Sequence, residues 1–328
     1  MMRAPRPEVE KVKLGLDSFT YHHVPAMTVE DYFQKAAALH LDGVHFAGLR
    51  HLEAPEQADL SGLRRKAESL GLYFELGTGG TDPDHLKSIL EAAHVLGSPA
   101  VRTFYSTISR FATDRPTTKE AMRARLSAAA AQVRKVVPIC EKYEIPLAFE
   151  NHQDLTTEEL LTLLELIGSE WVGICFDTGN SLALLDDPLE SAKALGPRVK
   201  TVHLKDYQLA ARADGFTMVG CALGEGAMDL DGILEVLAEE APEANLNIET
   251  PMEKIVYPVL EQEHLSHLPG ASAEGLARTL RMVRDHGLPE EPELASERGA
   301  SEQEVLAEWE DVVVRSVRWA RKALGRYQ

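Results

Sequence analysis

Short apolar segments alternate with helix-like segments along most of the chain. The helix-like stretches, such as 29–40 and 82–97, are rich in Ala and Leu, carry charged faces, and commonly open with Thr, Ser or Asp in N-cap positions. Eight apolar segments are rich in Val, Ile, Leu or Phe before they turn polar, which is typical of strands buried on both faces of a parallel sheet. They comprise residues 13–20, 43–48, 72–79, 100–106, 146–152, 172–180, 199–206 and 246–252. The alternation predicts a series of βα units.

The polar ends of these segments recur at a nearly constant interval. Most steps are about 27–30 residues and two are about 45, close to one βα unit with two longer insertions. Eight such units predict a (β/α)8 TIM barrel, placed at residues 1–288, with its active site at the C-terminal ends of the strands. A doubly wound parallel sheet is the alternative, but the segment DSFTYHHVP after the first strand lacks a glycine-rich phosphate loop.

A C-terminal helical extension follows the helix expected at about 272–286. Residues 289–328 begin with a linker rich in Pro and Glu and continue into an amphipathic helix around 302–324. Ser301 and Glu304 match a capping box at its start. The apolar positions that recur at helical spacing are Val305, Leu306, Trp309 and Val313. We expect this face to pack on the barrel or on a sister subunit, in a homo-oligomer; the alternative is that it recruits a partner subunit.

Composition narrows the classes of function. The chain has 34 Lys and Arg residues against 52 Asp and Glu residues, a net charge of −18, which disfavours binding to nucleic acid or to an anionic membrane. Its three cysteines form no CxxC pair, so neither a disulfide framework nor a thiolate zinc site is indicated. A signal-peptide pattern and a membrane-spanning apolar run are both lacking. We therefore expect a soluble, cytoplasmic protein that acts on a small molecule.

Four successive strand ends carry residues that can ligate a metal. The fifth to eighth strands end at Glu150, Asp177, His203 and Glu249. Neighbouring strand ends in a barrel lie about 5 Å apart, so these side chains can converge on one point. Three carboxylates and one imidazole suit Mn²⁺, Mg²⁺ or Co²⁺, and without a cation the carboxylates would repel each other. The set predicts one divalent ion, with Mn²⁺ as the first choice.

The same four residues carry a resemblance to a known family. In their settings LAFENH, ICFDTGN, VHLKD and NIET they resemble the metal quartet of the xylose isomerase-like TIM barrels, the sugar phosphate isomerase/epimerase family with its inosose dehydratase-like and keto-sugar lyase branches. The resemblance covers about residues 13–286. It implies a sugar-like substrate whose carbonyl and neighbouring hydroxyl bind the metal, and an enediolate formed by Lewis-acid catalysis.

The resemblance predicts an isomerase or epimerase first, because in the family's epimerases two metal-bound glutamates move the proton. Here these would be Glu150 and Glu249. Two departures point elsewhere: Asn180 stands where the sugar epimerases commonly carry a His, and Leu209 where they often carry an Arg. The alternative is therefore a lyase of the same fold, acting as a dehydratase, a decarboxylase or a C-glycoside-cleaving enzyme on a 3-oxo-sugar.

A lyase needs other catalytic groups. His152 is a candidate general base, or else a hydrogen-bond donor to a carboxylate. Lys205 is a candidate electrophile, or else a lysine in a buried ion pair. The residues expected to contact the substrate are His22, His45, Arg102, Tyr105, Asn180 and Asp206. The long segment 207–228 is either a lid over the site or a plain connector.

Two further functions fit the sequence less well. An apurinic endonuclease-like DNA repair enzyme needs several more strand-end histidines and a basic face, and the third, fourth and sixth strand ends lack such histidines. A non-catalytic sugar-binding protein would be attractive with a broken quartet, and this quartet is intact.

Overall fold

A closed parallel barrel of eight strands forms the centre of the molecule. The computed structural model describes residues 12–22, 24, 27–48, 59–105, 115–268 and 270–326. The barrel strands are β1 Leu14–Asp17, β2 Gly43–Phe46, β3 Tyr73–Gly77, β4 Val101–Thr103, β5 Leu147–Glu150, β6 Val172–Asp177, β7 Val199–Leu204 and β10 Asn245–Ile248. Around the barrel they follow the order β1-β10-β7-β6-β5-β4-β3-β2. The TIM-barrel prediction is therefore confirmed, and each predicted apolar segment contains one strand.

The helices follow the predicted alternation. They are α1 Val29–Ala38, α2 Leu60–Ser69, α3 Pro83–Leu96, α4 Lys119–Val133, α5 Val137–Tyr143, α6 Thr157–Ile167, α7 Pro188–Leu195, α8 Leu230–Glu240, α9 Gln262–Ser266, α10 Ala273–His286 and α11 Glu302–Leu324. Short 3₁₀ helices span Ser18–Tyr21, Asn180–Leu184 and Gly196–Arg198. Pro138 lies in the first turn of α5, where its missing N–H does no harm. Among the described residues, no helix is both long and apolar enough to cross a bilayer.

Strand register brings ionisable side chains into the barrel. Asp17 lies opposite His45 between β1 and β2, and Asp177 lies opposite His203 between β6 and β7. Side chains alternate between the two faces of a strand, so these four share the inner face. All four are fully buried. The upper part of this barrel is consequently filled by polar and charged groups, where branched apolar side chains are the usual filling.

Segments after β7 and β10 build a second, smaller layer. Strands β8 Tyr207–Ala211 and β9 Phe216–Gly220 form an antiparallel hairpin, and β11 Lys254–Tyr257 pairs with β9. The long segment after the seventh strand is thus a structured hairpin. The helix expected at about 272–286 is α10, and it packs against β8. The backbone N–H of Leu288 donates to Leu209 O at 2.7 Å and holds the end of α10 on the hairpin.

Helix α11 takes the place in the helical ring that the sequence pattern gave to the helix at 272–286. It lies against β10, and polar contacts join it to α1 and its end to α8. Arg321 donates to the backbone oxygen of His40, at the end of α1, over 2.9 Å. Arg326 pairs with Asp231 of α8 at 2.9 Å. The predicted capping box is present, and the predicted apolar face packs on the barrel.

The division of the chain into a barrel at 1–288 and a tail at 289–328 stays a prediction, and two adjacent valines of α11 test it. Val313 is fully buried and Val314 is exposed. A hydroxyl placed at Val313 loses apolar burial and costs about 2 kcal/mol, which lowers the melting temperature of a chain of this length by about 2–4 °C. Val314→Ser should melt like the wild type. Equal melting temperatures for the two variants would mean that the tail is a separable unit.

Candidate metal centre

The four predicted metal-ligand residues converge at the C-terminal rim of the barrel. Glu150 and Asp177 are the last residues of β5 and β6, His203 lies in β7, and Glu249 directly follows β10. One ligand atom from each lies within 4.8 Å of the corresponding atoms of the other three. All four side chains are buried. Parallel strands that share one rim therefore deliver three carboxylates and an imidazole to a single point.

The contacts among these residues leave metal-binding atoms facing one another. His203 Nδ1 lies 2.7 Å from Glu249 Oε2 and 3.7 Å from Glu150 Oε1. Asp177 Oδ1 is turned away and accepts the backbone N–H groups of Gly179 and Asn180 at 2.9 and 3.0 Å. This arrangement fixes the Asp177 carboxylate with its second oxygen directed at the other ligands.

A divalent cation fits this centre. Within the described residues, one buried atom of each ligand makes no hydrogen bond of good geometry, although each has a charged group within ion-pair distance. These atoms are Glu150 Oε2, Asp177 Oδ2, His203 Nδ1 and Glu249 Oε2. Buried polar atoms in this state are costly unless something else binds them. Oxygen-rich donors with a single imidazole are typical ligands of Mn²⁺, Mg²⁺ or Co²⁺, and Zn²⁺ also accepts them.

Two buried cations flank the quartet. Lys205 Nζ lies 3.0 Å from Asp177 Oδ2 and 2.8 Å from Glu249 Oε1. On the other side, Arg102 Nε lies 2.6 Å from Glu150 Oε2. The sequence left two roles open for Lys205, an electrophile at the site or a lysine in a buried ion pair. The position of its ammonium group is compatible with both, because the group forms ion pairs and also faces the quartet. Two permanent positive charges thus already offset part of the negative charge of the three carboxylates.

Electrostatics set the protonation of these groups. Burial opposes ionisation of Glu150, but the Arg102 guanidinium outweighs it and the pKa of Glu150 lies well below its usual range. Burial likewise opposes ionisation of Glu249, and the Lys205 ammonium with the nearby imidazole brings its pKa below the ordinary value. Burial lowers the pKa of His152, so this imidazole is neutral near pH 7. Both glutamates are therefore weak proton acceptors.

The wall beside Glu150 contains several of the predicted substrate contacts. The Arg102 guanidinium stands over the Phe104 ring, 5.0 Å from its centroid. The half-buried His152 ring also stacks on Phe104, with 4.8 Å between the two ring centroids. Asn180 Nδ2 donates to Glu150 Oε1 at 3.1 Å, so the residue that replaces the epimerase histidine contacts a metal-ligand residue directly. Tyr105 follows on this side and is half-buried.

Two other predicted contacts, Asp206 and His45, are used differently, while that of His22 stays a prediction. Asp206 is buried, and its carboxylate accepts backbone N–H groups of the loop 221–228 in place of the predicted contact with substrate. Lys205 and Asp206 are adjacent and diverge at the end of β7, so only Lys205 faces the quartet. His45 hydrogen-bonds to Asp17 in the barrel interior, also in place of the predicted contact. His22 is half-buried, with its ring stacked on Phe19 at 4.0 Å.

Asp17 and Cys175 are residues of the centre that the sequence interpretation did not select. Asp17 Oδ2 lies 3.5 Å from His203 Nε2. Cys175 is a fully buried inner-face residue of β6, and burial raises the pKa of its thiol to about 12. Asp17 could have been found, because it ends the first apolar segment just as Asp177 ends the sixth. Cys175 offered no such signal, since it lies within an apolar run.

Comparisons with known proteins bear on this centre. A family model described as xylose isomerase-like TIM barrel matches residues 33–286. A 3-oxo-isoapionate decarboxylase of Pectobacterium atrosepticum is 32% identical over 242 residues, which cover 71% of this chain and 83% of that protein. An inosose dehydratase of Clostridium botulinum is 27% identical over 147 residues, covering 39% of this chain and 48% of that protein. These relatives process carbohydrates.

A solved structure gives the same fold. The IOLI protein, determined with a bound zinc atom, superposes with a TM-score of 0.57 at 16% identity and covers 84% of this chain and 99% of its own. At this identity the similarity concerns the fold. Independently of that structure, the four converging ligand residues of this chain form a cluster that could hold a metal ion.

Proposed function

This chain belongs to the xylose isomerase-like TIM barrel family, and from the site described above we propose that it is a divalent-metal-dependent lyase that removes CO₂ from a 3-oxo-sugar acid. The observation that carries the proposal is the pairing of both glutamates with buried cations. Arg102 contacts Glu150, and Lys205 contacts Glu249. These cations stabilise both carboxylates as anions, which weakens them as the proton acceptors that a two-base epimerase requires.

Decarboxylation of a 3-oxo acid does not require a carboxylate that takes a proton from carbon. The bond between the carboxylate carbon and C2 breaks, its electron pair moves toward the keto oxygen at C3, and CO₂ leaves. C2 then takes one proton. A divalent cation held by Glu150, Asp177, His203 and Glu249 would supply Lewis-acid polarisation of the keto oxygen. The reaction therefore needs an electron sink and one acid, and it needs no base that acts on a C–H bond.

The charge of the site suits an anionic substrate. On the side of His203 that faces the quartet, the three carboxylates oppose Arg102, Lys205 and, when loaded, a divalent cation, which leaves one surplus positive charge there. Asp17 adds a negative charge on the other side of the imidazole. Burial in a low-dielectric interior strengthens this field. A neutral ketose gains little from it, whereas a sugar acid is attracted and held. The surplus charge also favours the negative charge that develops on the keto oxygen as CO₂ departs.

Lys205 is the proposed proton donor to C2. Its ammonium group is buried, faces the quartet, and is oriented by Asp177 and Glu249. Burial would lower the pKa of this amine, but the two carboxylates outweigh that effect and its pKa lies well above the ordinary value. The group is therefore charged at neutral pH. It is a weaker acid than an ordinary lysine ammonium, but the carbanion that forms at C2 is far more basic than the amine, so the proton transfer is still favourable. His152 is neutral and is proposed to hydrogen-bond a substrate hydroxyl.

The remaining wall residues are proposed to orient the substrate. Arg102 keeps Glu150 ionised and in place, and Asn180 holds the second oxygen of the same carboxylate. Tyr105 and His22 are proposed to contact hydroxyl groups at the rim. The similarity to the 3-oxo-isoapionate decarboxylase supports the choice of a 3-oxo acid, because it extends over most of both chains.

Isomerisation or epimerisation through an enediolate is the second candidate. Glu150 and Glu249 come from β5 and β10, which lie at the two ends of the four-strand arc that holds the quartet. They can therefore approach a bound sugar from different sides, as two-base proton transfer requires. For that reaction both ion pairs would have to open when the substrate binds.

One experiment separates the two candidates. Protein loaded with Mn²⁺ or Co²⁺ is given a panel of 3-oxo-sugar acids and, for each, the ketose that lacks the carboxylate, all in D₂O. We expect CO₂ release from an acid, one deuterium in the product at the carbon that carried the carboxylate, and no C–H exchange in the ketoses. Mass spectrometry and NMR give all three readouts.

The controls are metal-free protein and the Glu249→Gln variant, which lacks one ligand carboxylate. Both should release no CO₂ above the uncatalysed rate. Deuterium exchange in a ketose without CO₂ release from any acid would replace the lyase assignment with the isomerase or epimerase.

A further inference from the structure

Asp17 joins two imidazoles in the barrel interior, one of which belongs to His203 of the quartet. It is the last residue of β1 and is fully buried. Its Oδ2 is hydrogen-bonded to His45 Nδ1 and lies 3.5 Å from His203 Nε2. Its Oδ1 accepts the backbone N–H of Phe19 at the start of the 3₁₀ helix. Both carboxylate oxygens are thus engaged, and their positions are fixed.

The two ring nitrogens of His203 face in different directions. Nδ1 faces the quartet, 2.7 Å from Glu249 Oε2, while Nε2 faces Asp17. An imidazole that binds a metal through one nitrogen carries its proton on the other, and a hydrogen-bond acceptor placed there fixes the tautomer and the ring orientation. A carboxylate is the strongest such acceptor that a protein offers.

We propose that Asp17 is a positioning residue that accepts the Nε2–H of His203 and thereby presents the Nδ1 lone pair to the divalent ion. His45 is the second donor to the same oxygen and keeps the Asp17 carboxylate in place from the opposite side. The rings of His45 and His203 lie 4.7 Å apart in an edge-to-face arrangement around it.

The packing around His45 supports this positioning role. His45 lies over Gly77 of β3, where an added Cβ would come within 3.1 Å of the imidazole. That distance is tighter than ordinary packing, so glycine at this position leaves the space that the ring fills. Three neighbouring strands therefore cooperate: β1 supplies the carboxylate, β2 the supporting imidazole and β3 the room for it.

Asp17, His45 and His203 also form a cluster that could itself hold a cation. The positioning role and a second metal site differ in stoichiometry, since one ion is expected in the first case and two in the second. The inference rests on the proposed metal centre and is independent of the reaction catalysed there.

The test measures Co²⁺ affinity and the visible spectrum of bound Co²⁺ in the full chain, by competition with a chelator. We expect one Co²⁺ per chain in the wild type. Asp17→Ala should weaken binding by about 10–100-fold and change the Co²⁺ spectrum, because the imidazole is no longer held. Asp17→Asn, which keeps an acceptor oxygen and the shape of the side chain, should fall between the two.

Glu75→Gln is the matched control. Glu75 is another fully buried carboxylate of the barrel interior, and it accepts a hydrogen bond from Asn245 Nδ2 at 3.1 Å. We expect this variant to bind Co²⁺ as the wild type does, which a loss caused by general damage to the interior would not allow. Thermal unfolding of each metal-free variant confirms that it is folded, and Asp17→Asn serves if Asp17→Ala is not.

Three results would overturn the inference. The first is unchanged Co²⁺ affinity in a folded Asp17 variant, and the second is equal weakening in Glu75→Gln. The third is two Co²⁺ ions in the wild type with one lost on substitution of Asp17, which would make the cluster a metal site of its own. A wild-type protein that binds no Co²⁺ would instead contradict the proposed metal centre.

Discussion

Asp177→Ala should lose its divalent ion and its catalytic activity together. Asp177 ends β6 at the centre of the arc of ligands, so its removal takes away one of three carboxylates and leaves a gap in the coordination shell. We expect metal affinity to fall by more than about 100-fold, since even residues that only support a ligand cost 10–100-fold. Elemental analysis after dialysis and the CO₂ assay measure the two losses.

Asp177→Asn separates the loss of charge from damage to the local fold. Its amide oxygen can still accept the backbone N–H groups of Gly179 and Asn180, which otherwise cost about 1–3 kcal/mol each when left unpaired. Asp187→Asn is the control, because Asp187 caps α7 and asparagine caps a helix equally well. Stoichiometric metal in a folded Asp177→Asn protein would remove Asp177 from the ligand set.

Lys205→Met should slow turnover by about 10²–10⁴-fold while the metal stays bound. Methionine fills a similar volume but has no proton to give, so the step that fails is protonation of C2. The same change removes a positive charge that competes with the cation for Asp177 and Glu249, and metal affinity should be equal or higher. Steady-state kinetics and Co²⁺ competition distinguish these effects from each other.

His152→Ala is the companion variant. As a neutral side chain stacked on Phe104, His152 is expected to help bind the substrate, so its loss should mainly raise KM. Turnover slowed by about 10²-fold or more in His152→Ala, with Lys205→Met near normal, would transfer the proton-moving role to the histidine. Near-normal turnover in both variants would favour the two-glutamate mechanism.

The barrel and the convergence of the quartet could be predicted because both follow from one period. Strands of a parallel barrel all run the same way, so residues at the polar ends of successive apolar segments must share a rim. Glu150, Asp177, His203 and Glu249 needed no knowledge of side-chain packing to be grouped. The same reasoning extends to Asp17, whose place at the end of the first apolar segment puts it on the same rim.

For some predicted site residues, the outcome depends on which face of the strand each side chain occupies. Lys205 and Asp206 are adjacent, so one can face the quartet only if the other faces away. Which of them does so depends on the register of β7 against β6 and β10, which the apolar pattern leaves open. The Asp206 carboxylate instead accepts backbone N–H groups of the loop 221–228, about 20 residues farther along the chain.

Helix α11 shows a second kind of difficulty. Its amphipathic pattern correctly predicts a helix with one buried face, but α10 has such a face as well. Only tertiary packing decides which helix covers β10, and the hairpin β8–β9 offers α10 a different surface. The order of helices along the chain is therefore a poor guide to their order around the ring when a strand is followed by a long insertion.

The position of α11 also has a consequence for folding during synthesis on the ribosome. A ribosome that has just completed β10 must still translate everything up to Leu324 before the last gap between α1 and α8 can be filled, which takes about 4–15 s at ordinary elongation rates. During that interval the apolar flank of β10 is open to water, and any early-formed barrel has an uncovered seam. Nascent chains should therefore be captured by holdase chaperones until α11 has emerged from the ribosome and packed. Slowing translation within codons 249–301 lengthens this interval and should increase aggregation.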